Sequence, residues 1–73
     1  MFEDKDLANN ISNLMIETMH KFDASVAEVR GASSEAEFLA YRRIVAQVLG
    51  DILLDVMNPI YARHPELKPP GLD

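Results

Sequence analysis

Between Leu7 and Ile60 the apolar residues fall at helical spacing on both sides of one interior break, Gly31, Ala32, Ser33 and Ser34. At about 100° per residue, Leu7, Ala8, Ile11, Leu14, Met15, Thr18, Met19, Phe22, Ser25, Val26 and Val29 share one face. Asn9, Asn10, Asn13, Glu17, His20, Lys21, Asp23 and Glu28 take the other, and Ile16 is the large apolar residue that falls out of place. The spacing predicts a first helix over about residues 4–30. Glu3, Asp4 and Asp6 stand at the positive end of its dipole and Arg30 at the negative end. Gly31 is expected to take a positive φ just past the helix end, within a loop at 31–34.

Ser34 and Glu37 have the spacing of a capping box, so a second helix is expected from Glu35 over about residues 35–57. Phe38, Tyr41, Val45, Val48, Leu49, Ile52, Val56 and Ile60 form its main stripe, widened on one side by Leu39, Ala46, Leu53 and Met57. Arg43, Gln47, Asp51, Asp55 and Asn58 make the narrower polar face, which Leu54 interrupts. Pro59 lacks an amide and its ring crowds the carbonyl four residues back, which predicts a kink or restart at Asn58 and Pro59. The helical period ends near Arg63. Residues 64–73 carry three prolines and read as an extended tail, with Leu67 and the prolines over the open end of the hairpin.

The expected subunit is therefore all-α, an antiparallel two-helix hairpin over residues 1–63 followed by the proline-rich tail. Two rods alone enclose little core, and a chain of 73 residues with no cysteine has no disulfide to compensate. Self-association is the remaining route, and the reading is a homodimeric four-helix bundle, with a tetramer as a further option. The wide apolar arc of the second helix puts the expected interface on Val45, Leu49, Ile52, Leu53, Val56 and Met57. Ala46 and Gly50 would permit close backbone approach there, a glycine in mid-helix otherwise being unfavourable by about 1 kcal/mol relative to alanine.

Twelve Asp and Glu against seven Lys and Arg give a formal charge of -5. The basic residues are scattered, and Arg42 and Arg43 point about 100° apart on a helix, so nucleic acid is not an expected partner. The absence of cysteine also removes thiolate metal sites and cysteine nucleophiles. The acidic N-terminus is unlike a secretory signal and no uninterrupted apolar run reaches the ~20 residues that span a bilayer, so the chain is read as cytoplasmic, without a membrane partner.

Glu17 and His20 have the E-x-x-H spacing of carboxylate-bridged metal bundles, but they fall on the face opposite the apolar stripe, where a solvated helix surface is the expectation. Asp51 and Asp55 are the best-paired carboxylates, and nothing nearby in sequence builds a pocket around them. Met15, Met19 and Met57 suit core packing. Tyr41 is expected at the core edge with its hydroxyl toward water, and His64 exposed in the tail. No phosphate loop and no nucleophile constellation occurs, so no catalytic residue, cofactor or metal is assigned. The reading is a non-enzymatic protein acting through protein–protein contact, first with itself. An acidic regulator of the immunity or antitoxin kind, binding a basic protein, is the alternative, followed by a metal- or small-ligand-binding bundle.

Overall fold

The computed structural model describes residues 1–71, in which all regular structure is helical. Helix α1 runs Lys5–Ala32 and helix α2 runs Glu35–Ile52. Asp4 caps α1, its Oδ1 accepting from the amides of Asp6 at 2.8 Å and Leu7 at 3.1 Å. The capping box of α2 is formed: the Glu37 amide donates to Ser34 Oγ at 3.2 Å, and the Ser34 amide donates to Glu37 Oε1 at 3.3 Å.

The end of α1 differs from expectation. Gly31 lies inside the helix, and the chain leaves it at Ser33 with an extended backbone, φ -133° and ψ 172°. Ser33 Oγ donates to the Val29 carbonyl at 2.6 Å, so a serine hydroxyl satisfies a terminal carbonyl that a left-handed glycine usually serves.

At Pro59 the chain stays helical, passing from α2 through a widened turn into a further helix that begins at Asn58. The residues Leu53–Met57 form a π turn, closed by the Asn58 amide on the Leu53 carbonyl, and α3 continues as Asn58–Arg63. The wider turn gives the proline ring room, and it also holds one residue more than a regular turn. Everything after it therefore lies about 100° back from where an unbroken 3.6-residue spacing would place it. The stripe that begins with Phe38, Tyr41, Val45 and Ile52 is continued by Met57, Ile60, Tyr61 and His64, with Val56 displaced to its margin. Met57, Ile60 and Tyr61 join Ala8 in the buried core cluster, and His64 is 8% exposed, against the expectation of a solvent-exposed tail residue.

Around that cluster pack Phe2, Ile11, Met15, Ile16, Met19, Ile52, Leu53, Val56 and Leu67. Ile16 thus belongs to the core margin because α1 is turned toward Ser12 and Met19. Ser12 is 2% exposed, and its hydroxyl shares a 2.6 Å hydrogen bond with the Tyr61 hydroxyl, satisfying two polar groups that burial would otherwise leave without water. Nearer the loop the core thins to Phe38 and Val45, with the Arg30 guanidinium 4.6 Å above the Phe38 ring centroid.

After α3, residues Pro65–Leu67 make a 3₁₀ turn where an extended tail was expected, and Leu67 reaches the core margin. Lys68 is extended, and the end of the tail, Leu72 and Asp73, lies outside the described residues. Taken together, Glu35–Arg63 is long and apolar enough, by length and composition alone, to cross a membrane, which the interrupted sequence pattern had not suggested. A buried core helix meets the same criterion, but most of this one is exposed in the described chain.

Two expectations follow. Deleting Leu54, an exposed residue of the π turn, leaves Met57, Ile60 and Tyr61 in place in a regular helix. Inserting one alanine after Leu54 instead rotates them off the core. With Pro59→Ala in every chain, which removes the ring's clash with a regular turn, denaturant unfolding should show the deletion within about 1 kcal/mol of the P59A chain and the insertion more than about 3 kcal/mol weaker; equal losses would contradict the register argument. Separately, Tyr61→Phe strands the buried Ser12 hydroxyl and should lower stability by about 1–3 kcal/mol, with Ser12→Ala in the same chain restoring part of the loss.

Candidate interaction surface

The polar contacts of the chain concentrate at the open end of the hairpin, where its two termini meet. His64 Nε2 lies 2.9 Å from the Phe2 carbonyl oxygen. A carbonyl only accepts, so Nε2 carries the proton and Nδ1 is left facing Glu66 Oε1 at 3.7 Å. Glu66 in turn pairs with Lys5 Nζ at 3.5 Å, joining the 3₁₀ turn to the first residue of α1. Phe2 has φ 63°, a left-handed conformation that costs a bulky residue about 1–2 kcal/mol. Its ring on the core margin and its carbonyl on His64 both hold it there. His64 is thus a buried clasp between the termini, which its place beside Pro65 in a proline-rich segment did not reveal.

Glu66 titrates below the usual 4.5, first because of the hydrogen bond from its own backbone amide and then because of Lys5 and His64, which together outweigh an opposing desolvation effect. The carboxylate is solvent-accessible, and the clasp it completes is a surface contact of modest strength.

The residues proposed for chemistry are not assembled. Glu17 forms an exposed i,i+4 pair with Lys21 at 3.1 Å. His20 borders an open cleft of about 400 Å³ with Asp23, Met57 and residues 69–71. Asp51 and Asp55 are exposed on the far side of α2 and the π turn. Among the described residues no three His, Asp or Glu side chains are placed to hold a metal ion. Tyr41 is half-buried, and its hydroxyl bonds to Ser25 Oγ at 2.7 Å instead of turning to water.

The expected interface residues divide. Val45 and Met57 are buried within the hairpin and are taken up by contacts to α1. Ile52, Leu53 and Val56 pack around the core with part of their surface still open. Ala46 is exposed, and Leu49 and Gly50 are half-buried, next to a shallow groove bordered by Asp23 and Arg42. A methyl group built on Gly50 would meet nothing within 4 Å, so no described segment of the chain makes use of its small size. The other rim of the hairpin carries Leu7, Leu14 and Ile44, all large, apolar and exposed, which the second-helix arc alone did not bring forward.

Comparison with family models, with curated proteins and with solved structures gives no match for this chain.

Replacing Glu66 by glutamine tests the carboxylate charge, on which the hydrogen bond from its own amide acts ahead of the ties to Lys5 and His64. A carboxyl whose folded pKa is depressed stabilises above its unfolded value and loses that contribution as pH falls through the folded one. The E66Q variant should therefore melt below the parent at pH 7, and the difference should close as the pH drops below 4.5. A gap that persists at low pH would show that the carboxylate charge is not what joins the termini.

Proposed function

We propose that this chain is a non-enzymatic protein that works through protein–protein contact, and that its first partner is a second copy of itself in a homodimeric four-helix bundle. The observation that carries this reading is thickness. The hairpin measures 45 × 19 × 16 Å, so it is a single layer of helices with a core covered from only part of its circumference. Its fully buried apolar set is small, while Leu7, Leu14, Leu39, Ile44 and Leu54 stay exposed. A domain of this size without disulfide or metal commonly gains its remaining stability by association. Location in the cytoplasm and the absence of nucleic acid among its partners belong to the same proposal, supported by the charge of -5 and the scattered basic residues.

A second reading, an acidic regulator that neutralises a basic protein, draws on that same charge. Glu17, Asp51 and Asp55 all lie exposed on outward faces, where long-range attraction would speed encounter with a basic partner.

Sedimentation velocity over a wide dilution series, with circular dichroism on the same samples, separates the two. The expected result is a helical dimer that dissociates only on strong dilution. A chain that is folded and monomeric at every concentration would overturn self-association, and retention of a basic protein through purification would then favour the second reading.

A further inference from the structure

We infer that the second copy docks on the flank of the hairpin where Asp23 and Arg30 of α1 stand across a groove from Arg42 and Glu35 of α2, in a two-fold contact of that flank with itself. The inference rests on the self-association proposed above and goes beyond it by choosing the face and the charges that select it. The four side chains form two columns at seven-residue spacing, Asp23 with Arg30 and Glu35 with Arg42, which keeps each column on one face of its helix. Seven residues before Asp23 the column continues as Ile16, and seven after Arg42 as Leu49. Between the charges, at three- and four-residue steps, lie Val26 and Ala27 in α1 and Phe38 and Leu39 in α2, and Val45 and Ala46 follow Arg42. The charges therefore border an apolar strip.

Two contacts fix the level of the columns across the hairpin. The Tyr41 and Ser25 hydroxyls are 2.7 Å apart, and the Arg30 guanidinium lies 4.6 Å above the Phe38 ring centroid. Asp23 and Arg42 accordingly border one groove with Val26, Ala46 and Leu49, while Arg30 and Glu35 border another with Phe38. Signs thus alternate both along each helix and across the groove. All four side chains are exposed, and none of them enters an ion pair within the described chain.

That alternation argues for a second copy as the occupant. A two-fold contact must be complementary to itself, and a two-fold axis in the plane of this face exchanges the signs. With the hairpins parallel, Asp23 meets the partner's Arg42 and Arg30 meets the partner's Glu35. With them antiparallel, Asp23 meets the partner's Arg30 and Glu35 meets the partner's Arg42. A uniformly acidic or basic partner would instead oppose half of the four charges. The face is also neutral on a chain of charge -5, so two copies meet there without the repulsion that the rest of the surface carries. On the opposite rim the groove at Tyr41 is bordered by Glu28 and Glu37, where a copy would set carboxylate against carboxylate. Leu39, 49% exposed, with Ala27, Ala46 and the open part of Leu49, supplies the apolar burial, and the charges supply the choice of face.

The test uses sedimentation velocity and circular dichroism at low ionic strength on the parent and on D23R, R42D and R30D, each alone and in equimolar pairs. The expected result is a dimeric parent and helical variants whose dimer dissociation constants have each risen about tenfold or more, because a reversed residue meets a like charge twice in a two-fold contact. Mixing D23R with R42D should restore the dimer if the hairpins are parallel, and mixing D23R with R30D if they are antiparallel. Rescue in either mixture supports the proposal, since a second chain cannot restore an attraction made inside the first. If the parent is dimeric and neither mixture is rescued, or the single reversals leave the dissociation constant unchanged, the face is wrong and self-association stands. If the parent is a folded monomer throughout, both fail. Should a reversed chain lose helicity, single-cysteine chains decide, because the sequence has no other cysteine. Alkylation of A27C should slow about tenfold or more at dimer concentrations while L54C reacts at one rate throughout. Equal, concentration-independent rates at the two positions overturn the proposal.

Discussion

The one-residue expansion of the helix between Leu53 and Met57 sets the alignment on which the open end of the hairpin depends. With a regular turn there, Met57, Tyr61 and His64 would fall about 100° away from the line of Phe38, Val45 and Ile52, and Ile60 alone would stay near it. Met57, which is fully buried, would leave the core. Tyr61 would lose Ser12, and His64 would lose the Phe2 carbonyl. The π turn is thus coupled to these contacts through one geometric variable, the rotation of α3 about its axis. Pro59 supplies a local reason for a widened turn, and the core supplies the reason for its direction.

Contacts at the open end then combine apolar and polar parts in a small space. Ser12 and Tyr61 satisfy each other inside a cluster of Ala8, Met57 and Ile60, so a polar pair fixes the axial register of two helices that apolar packing alone would hold less specifically. Outside it, Phe2, His64, Glu66 and Lys5 tie the N-terminus to the turn after α3. The strain at Phe2 is tolerated because ring burial and the histidine hydrogen bond act on the same residue. Near the loop, by contrast, the core narrows to Phe38 and Val45, and stability there depends more on the capping box and on Ser33.

Thickness links this fold to the proposed function. A hairpin one helical layer deep closes its seam but leaves large apolar side chains exposed on both sides of it, Leu7, Leu14 and Ile44 on one and Leu39 on the other. Only at the open end, where α1 meets α3, do Ser12, Ile16 and Met19 extend the cover beyond the seam.

Two helices, their order, the acidic start of the first and the capping box at Ser34 and Glu37 were legible from residue spacing, because each depends on groups within four positions of one another. The same local logic marked Pro59 as a perturbation. It could not give the rotation that follows, since whether a helix kinks, restarts or takes in an extra residue is decided by what the next turn must pack against. Met57 was read as a core residue and is one, whereas His64 was read as exposed because the helical period ends before it, and Ile16 was set aside because its burial depends on partners more than forty residues away. Gly31 was read as a helix terminator, yet the hydroxyl of Ser33 on the Val29 carbonyl let the helix run on to Ala32. The expected interface was drawn from the arc of the second helix by itself, and only the packed hairpin shows that Val45 and Met57 are already covered. Sequence determined the elements, because helix formation and capping are short-range; tertiary structure decided the faces, because burial is a property of pairs of elements.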